Sequence, residues 1–163
     1  MIRRKHLKVG MLVEIETNNQ IIRGYIKQVI PPKQPNQPIE VELKSGVIGI
    51  IDRIVTTEDV KQESFKFFNL FFHSKHLLTI HHKFTKDIYS VNQTGYIFSE
   101  ESIAIEVLRE LNNDNLAIRR ISRQKPLLEN FKNTNINKFR LNEERIVTTQ
   151  KLKSLEIYFE SNQ

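Results

Sequence analysis

Residues 9–30 read VGMLVEIETNNQIIRGYIKQVI, and this stretch decides the fold of the N-terminal part of the chain. Apolar residues recur at every second position on both sides of the polar segment 17–20, which is the pattern of half-buried strands. In the second strand, Ile22, Gly24, Ile26 and Gln28 share one predicted face. The strand ends at Pro31 because proline supplies no backbone N–H to a strand ladder. The stretch therefore predicts a β-hairpin.

Strand character returns after a proline-rich loop at 31–38, first over 39–44 and then over 47–55. Four short strands in about fifty residues bury enough surface only when they curl into a closed barrel. We predict an SH3-like β-barrel over residues 7–56, with Gly24 and Gly49 at tight bends. Its predicted core includes Val13, Ile15, Ile26, Val41 and Leu43.

Three stretches of the predicted barrel carry a family resemblance: KVGMLVEI at 8–15, RGYIKQVI at 23–30 and IEVELKSGVIG at 39–49. In order and spacing, residues 7–55 resemble the YwbE-like family of small proteins with a KOW-like, SH3-type barrel. The resemblance implies the fold of this segment. It implies no particular activity, and it does not extend to the remainder of the chain.

The strand pattern gives way to a helix-start pattern at residues 56–59. Thr57 is a candidate N-cap, and acidic residues begin a helix that runs to Phe72. Ser99 is the candidate N-cap of a second helix that runs to Leu111. The other predicted elements are strands at 76–84, 88–91, 96–98, 116–121 and 145–149, a helical turn at 127–131 and a helix at 151–160. The predicted class is α+β, with a barrel domain at 1–56 and a mixed α+β domain at 57–163.

The composition narrows the function classes. The 163 residues include no cysteine, which excludes disulfides, thiolate zinc sites and cysteine nucleophiles. Glycine is scarce, so the chain holds no phosphate-cradling loop or dinucleotide fingerprint. The N-terminus lacks the apolar core of a signal peptide, and no run is apolar enough to cross a membrane, so we expect a cytoplasmic protein without a membrane partner.

The sequence gives only weak evidence for catalytic or metal-binding residues. His73, His76, His81 and His82 lie close together, but their spacing matches no metal-binding motif and two of them are adjacent on a predicted strand. The neighbouring carboxylates Glu58-Asp59, Glu100-Glu101 and Glu143-Glu144 are mostly explained by helix starts. We therefore predict no catalytic residue, no metal and no cofactor, and an enzyme is the least favoured class.

Basic residues give the stronger functional signal, since the formal net charge is +6 and cations recur in two clusters. Tyr25 is the predicted stacking residue for a base. The predicted nucleic-acid-binding residues are Arg3, Arg4, Lys5, Lys8, Arg23, Tyr25, Lys27, Arg119, Arg120, Arg123 and Lys125. The first hypothesis is a non-enzymatic protein associated with RNA or the ribosome.

The alternative hypothesis is a protein-interaction or assembly module whose barrel docks a peptide or a subunit, with incidental basic charge. The phenylalanine-rich segment 65–72 is open to two interpretations. It forms either part of the core or a partner groove or homodimer seam, because aromatic residues dominate both settings.

Overall fold

The computed structural model describes residues 2–161 and has the predicted α+β class, with a barrel followed by a mixed set of helices and strands. The chain divides into two compact units, Met1–Ser64 (unit 1) and Phe65–Gln163 (unit 2). This division lies later in the chain than the predicted domain boundary at residue 56. Among the described residues, no helix is long and apolar enough to cross a membrane.

Unit 1 is a closed antiparallel barrel whose fourth strand pairs back with the first. The hairpin turn places Asn18 and Asn19 at positive φ (52° and 62°), as two-residue turns between twisted strands require. The architecture is compatible with an SH3-like barrel. Its strands are β1 (Leu12–Thr17), β2 (Gln20–Val29), β3 (Glu40–Leu43) and β4 (Ile48–Ile54).

The predicted barrel core is confirmed, because all five predicted side chains are fully buried. One part of the strand pattern is wrong. A β-bulge between Ile26 and Gln28 shifts the pairing of β2 with β3, so Gln28 leaves the face that Ile26 occupies. The Gln28 amide is exposed and donates to Glu42, while Val29 packs against the core.

Unit 2 begins within helix α1 (Thr57–Phe72) and combines helices with two small sheets. Its further elements are β5 (Leu78–His82), β6 (Thr94–Ile97), α2 (Glu101–Leu111), β7 (Leu116–Arg120), a 3-10 helix (Leu127–Phe131), β8 (Lys138–Leu141), β9 (Arg145–Thr148) and α3 (Thr149–Ser161). Strand β7 pairs antiparallel with β5, while β8 pairs parallel with β6 and antiparallel with β9.

Two hydrophobic clusters form the core of unit 2 on opposite faces of β6. Ile97 belongs to the cluster that includes Phe72 and Phe139, whereas Tyr96 and Phe98 belong to the cluster beside α2. Successive strand side chains point to opposite faces, which explains the division. Phe71 and Phe72 are buried, so the end of the phenylalanine-rich segment is core, although its first ring, Phe65, is 53% exposed.

Both predicted helix caps are wrong. Thr56, rather than Thr57, caps α1: its hydroxyl accepts the Asp59 N–H at 3.1 Å, and its own N–H donates to the Asp59 carboxylate at 2.8 Å. Ser99 does not cap α2. It is tied instead to Asn142, which donates to the Ser99 hydroxyl at 2.7 Å and accepts the Ser99 N–H at 2.8 Å.

The predicted strand at 88–91 is also wrong, since its residues form only isolated bridges, Ile88 with His81 and Val91 with Thr94. Strand β8 was not predicted at all. The predicted helical turn at 127–131 is confirmed as the 3-10 helix, and the closing helix is confirmed as α3.

Candidate functional site

The second basic cluster is split by strand geometry. Arg119 and Arg120 are neighbours on β7, so their side chains leave opposite faces of the sheet. Arg119 lies opposite Thr79, on the face of His81, whose pKa is lowered by burial and then by the charges of Lys86 and Arg119. Arg120 leaves from the other face, at the point where β7 passes into a loop.

That loop, residues 121–126, is held at both ends. The buried Ile121 donates its N–H to the Leu77 carbonyl at 2.8 Å. The Asn130 side chain accepts the Ser122 N–H and donates to the Ser122 carbonyl, both at 3.1 Å. At the far end, the Leu127 N–H donates to the carboxylate of the buried Glu156, at 3.0 Å to the nearer oxygen. The loop therefore presents its basic residues from a fixed backbone.

Three grooves meet at Arg123, with volumes of about 590, 380 and 310 Å³. The Arg123 guanidinium donates to the Phe72 carbonyl at 3.1 Å and lies 3.5 Å from the Glu160 carboxylate. The first groove is lined by Phe72, His73, Ser74, Lys75, Arg123 and Glu160, and the second by residues 75–76 and 120–124. The third is lined by residues 123–126 and by four residues of α3. Arg123 is thus fixed where the grooves join.

Five cationic side chains line these grooves, and we call them the basic surface: Lys75, Arg120, Arg123, Lys125 and Lys153. All except Arg123 are exposed, and the ion pairs among the described residues involve none of those four. Two carboxylates, Glu156 and Glu160, line the same grooves. The local charge is therefore positive, and four cations are available to a ligand.

Lys75 and Lys153 of this surface were not predicted. Lys75 follows the end of α1, and Lys153 lies within α3 two residues after Lys151, so neither belongs to the two predicted basic clusters. Only the fold brings them beside Arg120 and Lys125.

Glu156 gives the site a pH-dependent stability. Burial raises the pKa of its carboxyl above the ordinary value of 4.5, and the Leu127 N–H opposes this effect only in part. The folded state therefore binds this proton more tightly than the unfolded chain. The resulting stabilisation is complete below pH 4.5 and is lost as the pH rises through the folded pKa.

We expect Glu156→Gln to raise the melting temperature at about pH 7 and to leave it nearly unchanged at about pH 4, because Gln accepts the Leu127 N–H but cannot ionise. Thermal melts of both proteins across this range give the difference at each pH. A difference that stays constant, or that reverses at neutral pH, would contradict the assigned shift.

Arg23 of the predicted site lies in a charge network of unit 1. It contacts Glu14 at 2.9 Å and Glu63 at 2.8 Å, and Arg53 contacts Glu14 at 2.6 Å and Asp59 at 3.6 Å. Hydrogen bonds from Arg53, and then from Arg23, hold the pKa of Glu14 below its ordinary value. The ion pairs join the barrel strands to the part of α1 that belongs to unit 1. Because two guanidinium groups face three carboxylates, the network is net negative, and both guanidinium groups are already paired, so it is a poor site for phosphate.

The other predicted residues of unit 1 have different surroundings. Arg4 donates to the Ile30 carbonyl at 2.6 Å, and Lys27 lies 3.6 Å from Glu42. Tyr25 is 53% exposed, with the Lys44 ammonium 5.9 Å from its ring centroid. Three exposed cations complete the N-terminal cluster: Arg3, Lys5 and Lys8.

The histidines are not gathered into a metal centre. Among residues 2–161, no group of three or more His, Asp or Glu side chains is placed to hold a metal ion. His73 contacts the Asn69 carbonyl through Nδ1 at 2.7 Å, whereas His82 packs against Tyr89.

Comparisons of the chain with protein-family models, with curated proteins and with solved structures found no match.

Proposed function

We propose that the protein is a non-enzymatic RNA-binding protein and that its basic surface contacts the phosphate backbone. One observation carries the proposal: four exposed cations without an ion-pair partner in the described structure line three adjoining grooves around Arg123. A polyanionic chain suits this arrangement, since it offers successive charges to cations that lie in connected grooves.

The rigidity of the site supports the same function. Because residues 121–126 are held by Leu77, Asn130 and Glu156, the backbone loses little conformational entropy when a ligand binds. Arg120 adds a planar guanidinium, which suits phosphate oxygens better than an ammonium does. Base recognition is not required for such contacts, so we expect slight sequence preference.

The salt dependence of RNA binding tests the proposal. If all four exposed cations neutralise phosphates, the affinity of a labelled single-stranded RNA falls with salt at a log-log slope of about −3. The triple variant Lys75→Ala/Arg120→Ala/Lys125→Ala is expected to flatten this slope by about 2 units. Arg123 is left in place because it holds the Phe72 carbonyl. Fluorescence anisotropy over a salt series measures both slopes.

A variant with the same net charge is the matched control. Lys33→Ala/Lys61→Ala/Lys138→Ala removes three exposed cations that lie outside the basic surface and is expected to leave most of the slope intact. Equal losses in both triple variants would mean that general charge, rather than this surface, binds RNA. Failure of the wild-type protein to bind RNA at about 50 mM salt would overturn the proposal.

A groove on the barrel favours the second candidate, a module that docks an extended peptide. It has a volume of about 840 Å³ and is lined by the end of the proline-rich loop, by Ile39, by residues 50–52 of β4 and by Ile2 and His6. Asp52 is its one carboxylate, which favours a peptide that carries a cation beside apolar side chains.

The two candidate functions predict that different treatments and substitutions abolish binding. A protein partner that survives nuclease treatment, is lost with Ile50→Glu and is retained by the triple basic-surface variant would favour peptide docking. Binding that nuclease abolishes would favour RNA.

A further inference from the structure

A cluster of aromatic rings in unit 2 surrounds Phe159, which is 4% exposed. Its ring centroid lies 5.0 Å from that of Tyr158, 5.5 Å from Phe65, 5.7 Å from Phe72 and 6.5 Å from His73. Phe65 and Phe72 are two helical turns apart on α1, so both rings reach the same part of α3. We call these five residues the aromatic cluster.

The outer rings of this cluster are open to solvent. Phe65 is 53% exposed and Tyr158 54% exposed, and His73 is exposed as well. Single exposed apolar residues are common, but several adjoining exposed rings around a buried one form a patch. Such a patch costs free energy in water unless a ligand covers it.

The aromatic cluster adjoins the basic surface. Phe72 and His73 line the same 590 Å³ groove as Lys75 and Arg123, and Glu160 of that groove follows Phe159 directly on α3. One exposed ring, that of His73, therefore lines the basic surface directly, and the exposed rings of Phe65 and Tyr158 continue from it around Phe159. Bases of a ligand whose phosphates follow the basic surface meet the His73 ring first.

We infer that the ligand at this site is single-stranded RNA whose bases stack on the aromatic cluster, with Phe65 and His73 as the stacking residues. This inference rests on the proposed function and narrows its ligand class. Aromatic faces next to a cationic groove are how single-strand-binding proteins hold bases without reading sequence. A duplex cannot use them, because its bases are already stacked on each other and RNA recognition through bases takes place in single-stranded segments.

The test compares a labelled single-stranded RNA of mixed sequence with a blunt duplex of the same sequence, by anisotropy at about 50 mM salt. We expect tighter binding of the single strand. Phe65→Ala is expected to weaken single-strand binding roughly 5-fold to 150-fold, the range found when one stacking ring is removed. The salt slope is expected to stay unchanged, since stacking releases no counterions. Duplex binding is expected to be unaffected.

Phe84→Ala is the matched control, because Phe84 is 84% exposed and lies outside the aromatic cluster. It is expected to change neither affinity. His73→Ala and Phe65→Trp provide readouts that do not depend on tolerating a truncated Phe65: the first is expected to weaken single-strand binding and the second to preserve it. Circular dichroism melts confirm that each variant is folded.

The outcomes distinguish the stacking inference from the proposed binding of phosphates. Equal affinity for single strand and duplex, or unchanged affinity in folded Phe65→Ala and His73→Ala, overturns the stacking inference and leaves phosphate binding in place. If the protein binds neither the single strand nor the duplex, both the stacking inference and the proposed RNA-binding function are overturned.

Discussion

Gly49→Ala is expected to destabilise the barrel by about 3 kcal/mol, at the upper end of the usual cost of overpacking. A Cβ at this position would lie 2.5 Å from the Glu16 carbonyl oxygen and 3.1 Å from the Ile15 side chain. The oxygen belongs to the backbone of β1, which pairs with β4 to close the barrel. Rotation of a side chain cannot relieve the clash, because the oxygen is a backbone atom. The two strands cannot move apart either, since this would lengthen their ladder hydrogen bonds.

Gly24→Ala is the matched control for Gly49→Ala. A Cβ at Gly24 meets the Leu43 Cδ1 at 2.9 Å, which is the end of a side chain rather than backbone, so we expect a cost nearer 1 kcal/mol. Chemical denaturation and hydrogen exchange of barrel amides measure both. A Gly24→Ala protein less stable than Gly49→Ala would show that core side chains, rather than strand spacing, limit the barrel.

The sequence predicted the barrel well because local patterns determine it. Strand alternation identified the core residues Val13, Ile15 and Ile26, and their positions follow from a period of two. The bulge before Gln28 was missed because it arises from the pairing of β2 with β3. A bulge moves every later side chain to the other face, and nothing in the local sequence signals where it falls.

The fold of unit 2 was harder to predict from the sequence, because its strand pairings join segments that are distant in the chain. Strand β8 follows a loop and pairs parallel with β6, more than forty residues earlier in the chain. The Ser99 error has the same origin: the hydroxyl meets Asn142, a residue of the turn after β8, instead of the first turn of α2. Short-range capping rules cannot anticipate such a competitor.

The candidate site was predicted only in part. The run of basic residues at 119–125 was visible, but strand geometry sends Arg119 and Arg120 to opposite faces. Arg23 looked equivalent to them in sequence, yet two carboxylates hold its guanidinium. Phe65 was predicted only as part of segment 65–72, for which a core and a partner interface were both open, because the exposure of a single ring depends on its neighbours in the folded chain.

Phe139→Ala is expected to destabilise unit 2 by about 3–5 kcal/mol, the usual cost of truncating a buried phenylalanine. Phe139 is fully buried on β8, and its ring lies 4.7 Å from that of Phe131 in an edge-to-face arrangement. Truncation leaves a cavity beneath the 3-10 helix. The strands β6 and β9, which flank β8, limit how far the backbone can collapse into that cavity.

Denaturant titration of the wild-type and Phe139→Ala proteins gives the change, with Phe84→Ala as the control for loss of an exposed ring. We expect the control to differ from wild type by less than about 0.5 kcal/mol. Since the 3-10 helix adjoins the loop that carries Arg123 and Lys125, hydrogen exchange at residues 121–131 is expected to quicken with Phe139→Ala. A small stability change with unaltered exchange would contradict the role of Phe139 as the packed support beneath this loop.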